Sequence, residues 1–569
     1  MRLYQACPWA TAFQSPGFVI PWLEAYGDCY RVLLFREFSP SNELTGLLPI
    51  IIESVSGRAT LPGAHQAEYK TWLALPSNGS SFIEQSLRLL AREIDIGSLA
   101  FRYLAPGSPL DWLANARGLS WICETEKHPR AAIRLDDSVE VTDYLNKKNS
   151  SKSTRSKWNR LRRLGRVDFE HVVRPSELGP VFDRLIAYYE IRQEAIHGKR
   201  AFQDDPAKKP FHLALLQDSS LLHVTVMKAD GEPVSASFGF VHRKTYSLAM
   251  SMFSPAHAYY SPVMLHFLLL VEQLHKEGFS VLDLTAGADP FKERFAAEYD
   301  SVHVLSLYTH RKLWLKEKIQ KQGEKLARRA LHAWGIAPNT ARLRLQPLLR
   351  APLRTAAGTL ARAGSFLLGS LRRSGASRIY AIEKTRIAAI TGPPLTSKDC
   401  LAHLLAFYPE ENSRARQSFL AECLRRLEDG WHSYTRVQDG RLPYCGWMIE
   451  NRKPDISPRI DSGFECPAGS AVLLGDYSDP NLEGCAWLKD TLSQALGDGA
   501  SNSSTGYLFV VLNADDPLCR DLHETDGWIP VSSVGDIPND ILRQPRLSFR
   551  AHRRARPRPA SVPRARNLL

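Results

Sequence analysis

Apolar runs over Tyr30–Phe38 and Leu44–Ser54 flank the turn signal Ser-Pro-Ser-Asn, and together they predict a β-hairpin. Helical periodicity follows over Ser81–Ile94, then a basic helical stretch from Thr142 to Gly165. Residues 166–308 alternate strands with helices. A second hairpin is expected from Leu221–Lys228 and Val234–Val241, joined by Ala-Asp-Gly-Glu-Pro. A third strand, Tyr246–Phe253, leads to a strongly apolar helix, Val263–Glu277, and then to the short strand Ser280–Leu284. Residues 311–378 show helical periodicity broken at Pro338, Pro347 and Pro352. From 379 to 540 the earlier order returns: a helix at Arg414–Arg426, a hairpin of Trp431–Gln438 and Tyr444–Glu450, a strand at Ala471–Asp476, a helix at Cys485–Leu496 and a strand at Tyr507–Asn513.

Length and charge refine that outline. A chain of 569 residues has room for three to four domains. Its net charge of +13 is unevenly spread. Residues 311–378 hold 16 Lys/Arg against 2 Asp/Glu, a balance of +14, and residues 543–569 add +9, so the rest of the chain stands at −10. Basicity therefore belongs to a connector and a tail, and the acidic balance elsewhere argues against nucleic acid as a specific partner. The Arg/Pro-rich residues 546–569 are expected to be disordered. The connector has the composition of interfacial helices, so peripheral contact with an anionic membrane is expected through 311–378 and 546–569, against the alternative of helices that simply pack on their neighbours. No apolar run approaches the roughly 18 residues of a spanning helix, and the first residues do not read as a signal peptide. The nine cysteines are scattered, with no Cys/His spacing suited to zinc, so no metal is expected and the setting reads as a reducing cytoplasm, with attachment at the inner membrane surface as an extension.

Three segments carry candidate chemistry. Ser261 is a favoured N-cap and Pro262 suits the first helical position, so backbone N–H groups at Val263 and Met264 would face the loop 254–260 and offer an anion site; the alternative is an ordinary capped core helix. In Asp-Leu-Thr-Ala-Gly-Ala-Asp-Pro-Phe-Lys-Glu-Arg-Phe, residues 283–295, Asp283 stands at a strand end and Lys292 opens a helix. A carboxylate there can take a proton from an attacking amine or hydroxyl, and a lysine can stabilise an oxyanion or bind phosphate. A structural ion pair joining strand to helix is the equal alternative. Basic residues of the segment 147–163, Arg155 and Arg162 among them, could face an anionic acceptor or simply solvent.

Taken in order, FQSPGFVIPWLEAYG, the strand ending GLLPI, the basic helix KSTRSKWNRLRRLG, the hairpin ADGEPVSASFGF, SPV after Tyr259-Tyr260, and DLTAGADPFKERF resemble the CelD/BcsL-type acetyltransferases of bacterial polysaccharide gene clusters, a GNAT-related family with two GNAT-like halves. Asp283, Gly287 and Lys292 match the family's last motif, Phe291 replaces a tyrosine, and Ala286 stands where an arginine is expected. The resemblance implies acetyl-CoA as co-substrate, contacts to it from Ser261, Val263, Met264 and Gly287, catalysis by Asp283 and Lys292, and an acceptor held by Arg155, Arg162 and Tyr260. A third unit resembles a GNAT domain through Asn481-Leu-Glu-Gly484-Cys485-Ala486, a degenerate pyrophosphate loop, and through His523 in the position of a general-acid tyrosine.

The resulting expectation is an α/β protein of tandem GNAT-like folds with mixed, mostly antiparallel sheets. Its parts are GNAT-like halves at 1–148 and 149–310, a basic helical connector at 311–378, a C-terminal GNAT-like domain at 379–545 and the tail. The expected activity is acyl transfer from acyl-CoA to an amine or hydroxyl of a cell-envelope or exopolysaccharide sugar. Two rivals stay open: a FemABX-like transferase using aminoacyl-tRNA, and a non-catalytic GNAT-fold scaffold in a polysaccharide system.

Overall fold

The computed structural model describes residues 1–54, 56–113, 121–217, 221–287, 290–333, 377–383, 396–409, 413–450, 471–478, 494, 497–498, 507–513 and 528–531. These pack as two units, the first holding the described residues of Met1–Leu371, Leu395–Trp447 and Tyr477–Gly484, the second those of Arg372–Pro394, Met448–Asp476 and Cys485–Leu569.

The first unit is built on one twelve-stranded sheet. Its strands are β1 (Tyr30–Phe38), β2 (Leu44–Glu53), β3 (Arg58–Thr60), β4 (Leu73–Ala74), β5 (Ser98–Phe101), β6 (Ile122–Arg134), β7 (Val167–Val172), β8 (Leu222–Ala229), β9 (Glu232–His242), β10 (Thr245–Phe253), β11 (Val281–Ala286) and β12 (Glu298–Tyr308). They lie in the order β1-β2-β3-β5-β12-β6-β11-β10-β9-β8-β7, with β4 paired to β2 off that path. Both hairpins expected within residues 1–310 form, β1 with β2 and β8 with β9, each antiparallel. β10 and β11 run parallel because a helix crosses between them.

Helices cover this sheet through apolar stripes. Gly79–Glu93 buries Phe82, Ile83, Leu87 and Leu90, a spacing that lines one helical face. Its side of the sheet shares a core with Trp9, Trp72, Trp112, Leu48, Ile50, Leu305 and Leu307. A second core gathers under β6 and β8–β11, where Met264, Leu265, Phe267, Leu268, Val271 and Leu274 pack on Ala131, Ile133, Met227, Tyr246 and Leu282. The helices used below are α1 (Ser138–Asn149), α2 (Lys152–Arg162), α3 (Pro175–His197), α4 (Pro262–Lys276), α5 (Pro290–Phe295), α6 (Arg311–Ala333) and α7 (Ser413–Glu428).

The segment 395–447 packs through α7 against α3. Arg416 of α7 meets Glu194 of α3 in a buried two-pronged pair, Nε to Oε1 at 2.6 Å and an Nη to Oε2 at 3.0 Å, and also donates to the carbonyls of Leu405 (2.8 Å) and Phe407. Arg192 and Glu428 add a second pair at 2.7 Å. In the second unit, Ser377–Glu383 pairs antiparallel with both Tyr507–Asn513 and Trp528–Val531, and residues 471–474 pair parallel with 508–511. The architecture is thus mixed α/β with mostly antiparallel pairing. No helix among the described residues is long and apolar enough to cross a membrane.

Candidate active site

The end of β11 is where the charged residues of 283–295 collect, and their partners are not the ones the sequence suggests. Asp283 and Lys292 do not pair with each other. Asp283 is 1% exposed. Its Oδ2 accepts from the Tyr69 hydroxyl at 2.8 Å and the Arg130 guanidinium at 3.3 Å, and its Oδ1 accepts from the Thr285 amide at 2.7 Å. Lys292 Nζ instead donates to the Thr285 carbonyl (3.2 Å), the Thr285 hydroxyl (3.3 Å) and the Ala286 carbonyl (2.7 Å). In place of the ion pair weighed as the alternative to catalysis, the two side chains form two clamps on one residue, Thr285.

That residue is strained. Thr285 has φ +66°, a left-handed conformation that a β-branched side chain adopts at a cost of roughly 1–3 kcal/mol. It lies where the β11–β6 register shifts, between Asp283 and Ala286. Asp283 holds its amide and Lys292 its carbonyl and hydroxyl, so the bulge is fixed from both sides. Gly287 follows at φ +100°, where an added Cβ would meet nothing within 4 Å; the glycine serves backbone conformation and not close packing. Its amide donates to the Pro129 carbonyl at 3.0 Å.

Charge around this bulge comes from segments far apart in the sequence. Arg130 is the cross-strand partner of Ala286, and it also bonds Asp300 through its Nε at 2.7 Å and a second nitrogen. A guanidinium thus reaches Asp283 from the strand opposite the position where the sequence motif lacks one. Burial pushes the Asp283 carboxyl up from its usual range, while Arg130, Tyr69 and the Thr285 amide oppose that rise. Glu68 is likewise raised by burial, with Lys292 and the Ala286 amide opposing it and Asp283 adding to it. Next to it, Lys70 is buried and drops to about 8, through burial and then Arg102.

The second cluster surrounds the start of α4. Ser261 is the N-cap residue, but it adopts φ +53°, ψ +54° and its side chain makes no capping bond, because that left-handed backbone differs from the extended conformation in which a serine hydroxyl folds over the first turn. Its carbonyl accepts from the amides of Met264 (3.1 Å) and Leu265 (3.3 Å). With Pro262 lacking an N–H and Met264 already bonded, Val263 is left as the first-turn donor without an intrahelical acceptor.

Cations from two elements converge on that turn. Lys157 Nζ of α2 lies 3.7 Å from the Met264 sulfur, and an Arg294 guanidinium nitrogen of α5 lies 3.2 Å from the same atom. Arg160 stacks over Tyr259 at 4.7 Å, beside Tyr260 in the turn Pro255–Tyr260. Lys148 donates to the Arg294 carbonyl at 2.5 Å. The Lys157 amine is lowered by burial and then by Arg294 and Arg160, and the Lys148 amine by burial and then by Arg294 and Lys147.

The other candidates divide. Arg155 is exposed on α2, and exposed Arg162 leans on the Trp158 ring at 5.4 Å. Asn481, Gly484, Cys485, Ala486 and His523 lie outside the described residues, as does the helix expected at Cys485–Leu496 except Gln494. Sequence reasoning passed over Tyr69, Arg130, Glu68, Lys157, Arg160 and Arg294. Lys157 and Arg160 stand in the basic helix and Arg294 in the quoted motif, so their charge was visible; Tyr69 and Arg130 are far away in sequence and carry no local signal.

Residues 148–293 match the family model described as acetyltransferase (GNAT) domain. The chain therefore carries a GNAT acetyltransferase domain, and both β11 and the start of α4 fall inside it. Among solved structures, similarity extends to L-PGS from Bacillus licheniformis (14% identity, 52% of this chain and 92% of that one, TM-score 0.34) and to FemX (10%, 53% and 94%, 0.38). It also extends to a tandem GNAT protein from the clavulanic acid biosynthesis pathway (12%, 51% and 88%, 0.32). No curated protein matches the chain.

Proposed function

We propose that this protein is an acyltransferase that carries an acyl group from acyl-CoA to an amine or hydroxyl, with the donor's phosphates held at the start of α4. The observation that supports this reading is the gathering of Lys157, Arg160 and Arg294 around Met264 and Tyr259, inside the segment that matches the GNAT domain. Like charges held close raise one another's cost, and a bound pyrophosphate relieves it while the Val263 amide supplies a backbone donor. In this reading the amine or hydroxyl acceptor attacks the thioester carbonyl directly, the CoA thiolate leaves, and a proton passes from the acceptor to a base.

Asp283 and Lys292 act in this scheme as positioning residues, because their polar atoms are already engaged in holding Thr285, Tyr69 and Arg130. Arg155, Arg162 and Tyr260 remain the proposed contacts to an anionic acceptor, and the resemblance to the CelD/BcsL type suggests a cell-envelope sugar. The loop 481–486 and His523 stand as a second proposed donor site and acid.

Calorimetric titration of the full-length chain with acetyl-CoA tests the reading. Saturable binding is expected, lost in a Lys157→Glu/Arg294→Glu double variant that keeps its circular dichroism. A folded wild-type chain that gives no heat with acetyl-CoA sinks the proposal. If an aminoacyl-tRNA binds instead, with affinity that falls steeply with salt, the FemABX-like rival takes its place.

A further inference from the structure

A group of titratable side chains unconnected to the start of α4 sits at that helix's other end. His171 lies on β7, the last strand in the sheet order, His223 lies on the adjacent β8, and Glu277 closes α4 as its C-cap. In the β7–β8 register His171 faces Thr225, so His223 is displaced by two residues on the same sheet face. The two imidazoles stack with centroids 3.9 Å apart and planes 26° apart. The Glu277 carboxylate reaches both: Oε1 is 3.1 Å from His171 Nδ1, and Oε2 is 2.9 Å from His223 Nε2. One ligand atom from each residue lies within 4.8 Å of the other two.

We propose that His171, His223 and Glu277 form a binding site for a divalent first-row cation, of which Zn2+ fits the donor set best. Two imidazole nitrogens with one carboxylate suit zinc, whereas calcium and magnesium take all-oxygen sets. The supporting shell is present. Tyr246 and Phe279 meet the His223 ring edge to face at 5.4 and 6.0 Å and fix its plane. The Gln273 side-chain amide donates to Glu277 Oε1 at 2.7 Å and orients the carboxylate. His223 Nδ1 is buried without a hydrogen-bond partner, so Nε2, which faces Glu277, is the ring nitrogen that meets a polar group.

To place one ion about 2.0–2.2 Å from all three donors, the stacked rings must fan apart. His171 can turn because it is exposed on the sheet's outermost strand, and the same exposure leaves room for water as a fourth ligand.

From Ser261 to Glu277 the helix spans on the order of 20 Å, too far for this ion to touch a donor bound at the other end. Its proposed role is to pin the end of α4 to the edge of the sheet. The inference stands apart from the acyl-transfer reading.

The test is titration of the metal-stripped full-length chain with Zn2+ by calorimetry, with Co2+ absorption in the visible range as a report on ligand geometry. One equivalent is expected, accompanied by Co2+ bands of a four- or five-coordinate site and by a higher melting temperature. His171→Ala and Glu277→Gln should each lose the bands and the melting shift, and Gln273→Ala should weaken binding roughly 10-fold. His171 is exposed on the outer strand, so its variant is expected to fold, which circular dichroism checks. Absence of binding by the folded wild type overturns the site, as does binding that survives unchanged in both folded ligand variants.

Discussion

Asp283 illustrates how a residue's element can be read and its company missed. Its place on a short strand was legible from the order of apolar helix, strand and glycine loop, but that strand runs on to Ala286 and leaves Asp283 inside it, not at its end. What the order could not give was Tyr69 and Arg130, which arrive from strands and loops more than 150 residues away, or the left-handed turn at Thr285 that Asp283 and Lys292 hold together. Replacing Asp283 with Asn leaves Arg130 and the Tyr69 hydroxyl facing an amide nitrogen. Asp300 retains part of Arg130's pairing, so the expected loss is about 3 kcal/mol by urea unfolding. Two buried histidines make a separate statement at this scale. His266 lies between the Thr225 and Ser235 hydroxyls, 2.8 and 2.9 Å away, and burial lowers it to about 3; His212 is lowered to about 4 in the same way. Both stay neutral in the fold while the unfolded chain takes up protons below about 6.5. Stability should therefore fall as pH drops from about 6.5 toward 4, by about 1.4 kcal/mol per pH unit for each histidine. Asp283 works in the opposite sense: its raised folded value means its contribution declines as pH rises through the carboxylate range and is flat above it. Urea midpoints measured from pH 7 to 4 should show the net fall.

Periodicity identified most elements of the first unit because each has a face to bury, but it located them only to within a residue or two. α4 begins at Pro262 and not Val263, and β9 extends to Glu232 and His242 beyond the expected Val234–Val241. Contacts between elements were invisible. Gly239 on β9 is such a case: a Cβ there would lie 2.0 Å from the Tyr246 ring on β10, so the glycine exists to let a tyrosine cross it. Gly239→Ala should cost about 2–3 kcal/mol, checked by chemical denaturation, since neither backbone nor ring has space to retreat. α6 raises a different expectation. Trp314 bonds Glu124 on β6, while Leu315, Ile319 and Leu326 are 49%, 60% and 65% exposed beside several lysines and arginines. If this face meets an anionic membrane, as the connector's composition suggests, the full chain should sediment with phosphatidylglycerol vesicles and not with phosphatidylcholine ones, and Leu315→Ser/Ile319→Ser should weaken that association.

For the molecule as a whole, the family resemblance implied tandem GNAT-like halves in residues 1–310, and the structure joins strands from across those residues in one continuous sheet. The matching GNAT segment begins at 148, yet β6, which precedes it, is bonded to β11 and β12 within and after it. Strand exchange of this kind leaves no trace in composition, because β6 reads like any other amphipathic strand. The same applies to 395–447, whose Arg416 is buried against Glu194. Arg416→Ala would strand a buried carboxylate, and the expected cost is about 3–5 kcal/mol, measurable as a lower urea midpoint.

The position of β6 also sets a timetable. Its two neighbours in the sheet are β12 and β11, both made after it. During synthesis Ile122–Arg134 leaves the ribosome with neither edge matched, and roughly 170 further residues must be added before Tyr308 completes its last partner. At ordinary translation rates that interval is on the order of ten to thirty seconds. For that time the central strand of the largest sheet is an open template, and a nascent-chain chaperone or a slow codon run downstream of β6 would change the yield of folded protein without touching its stability.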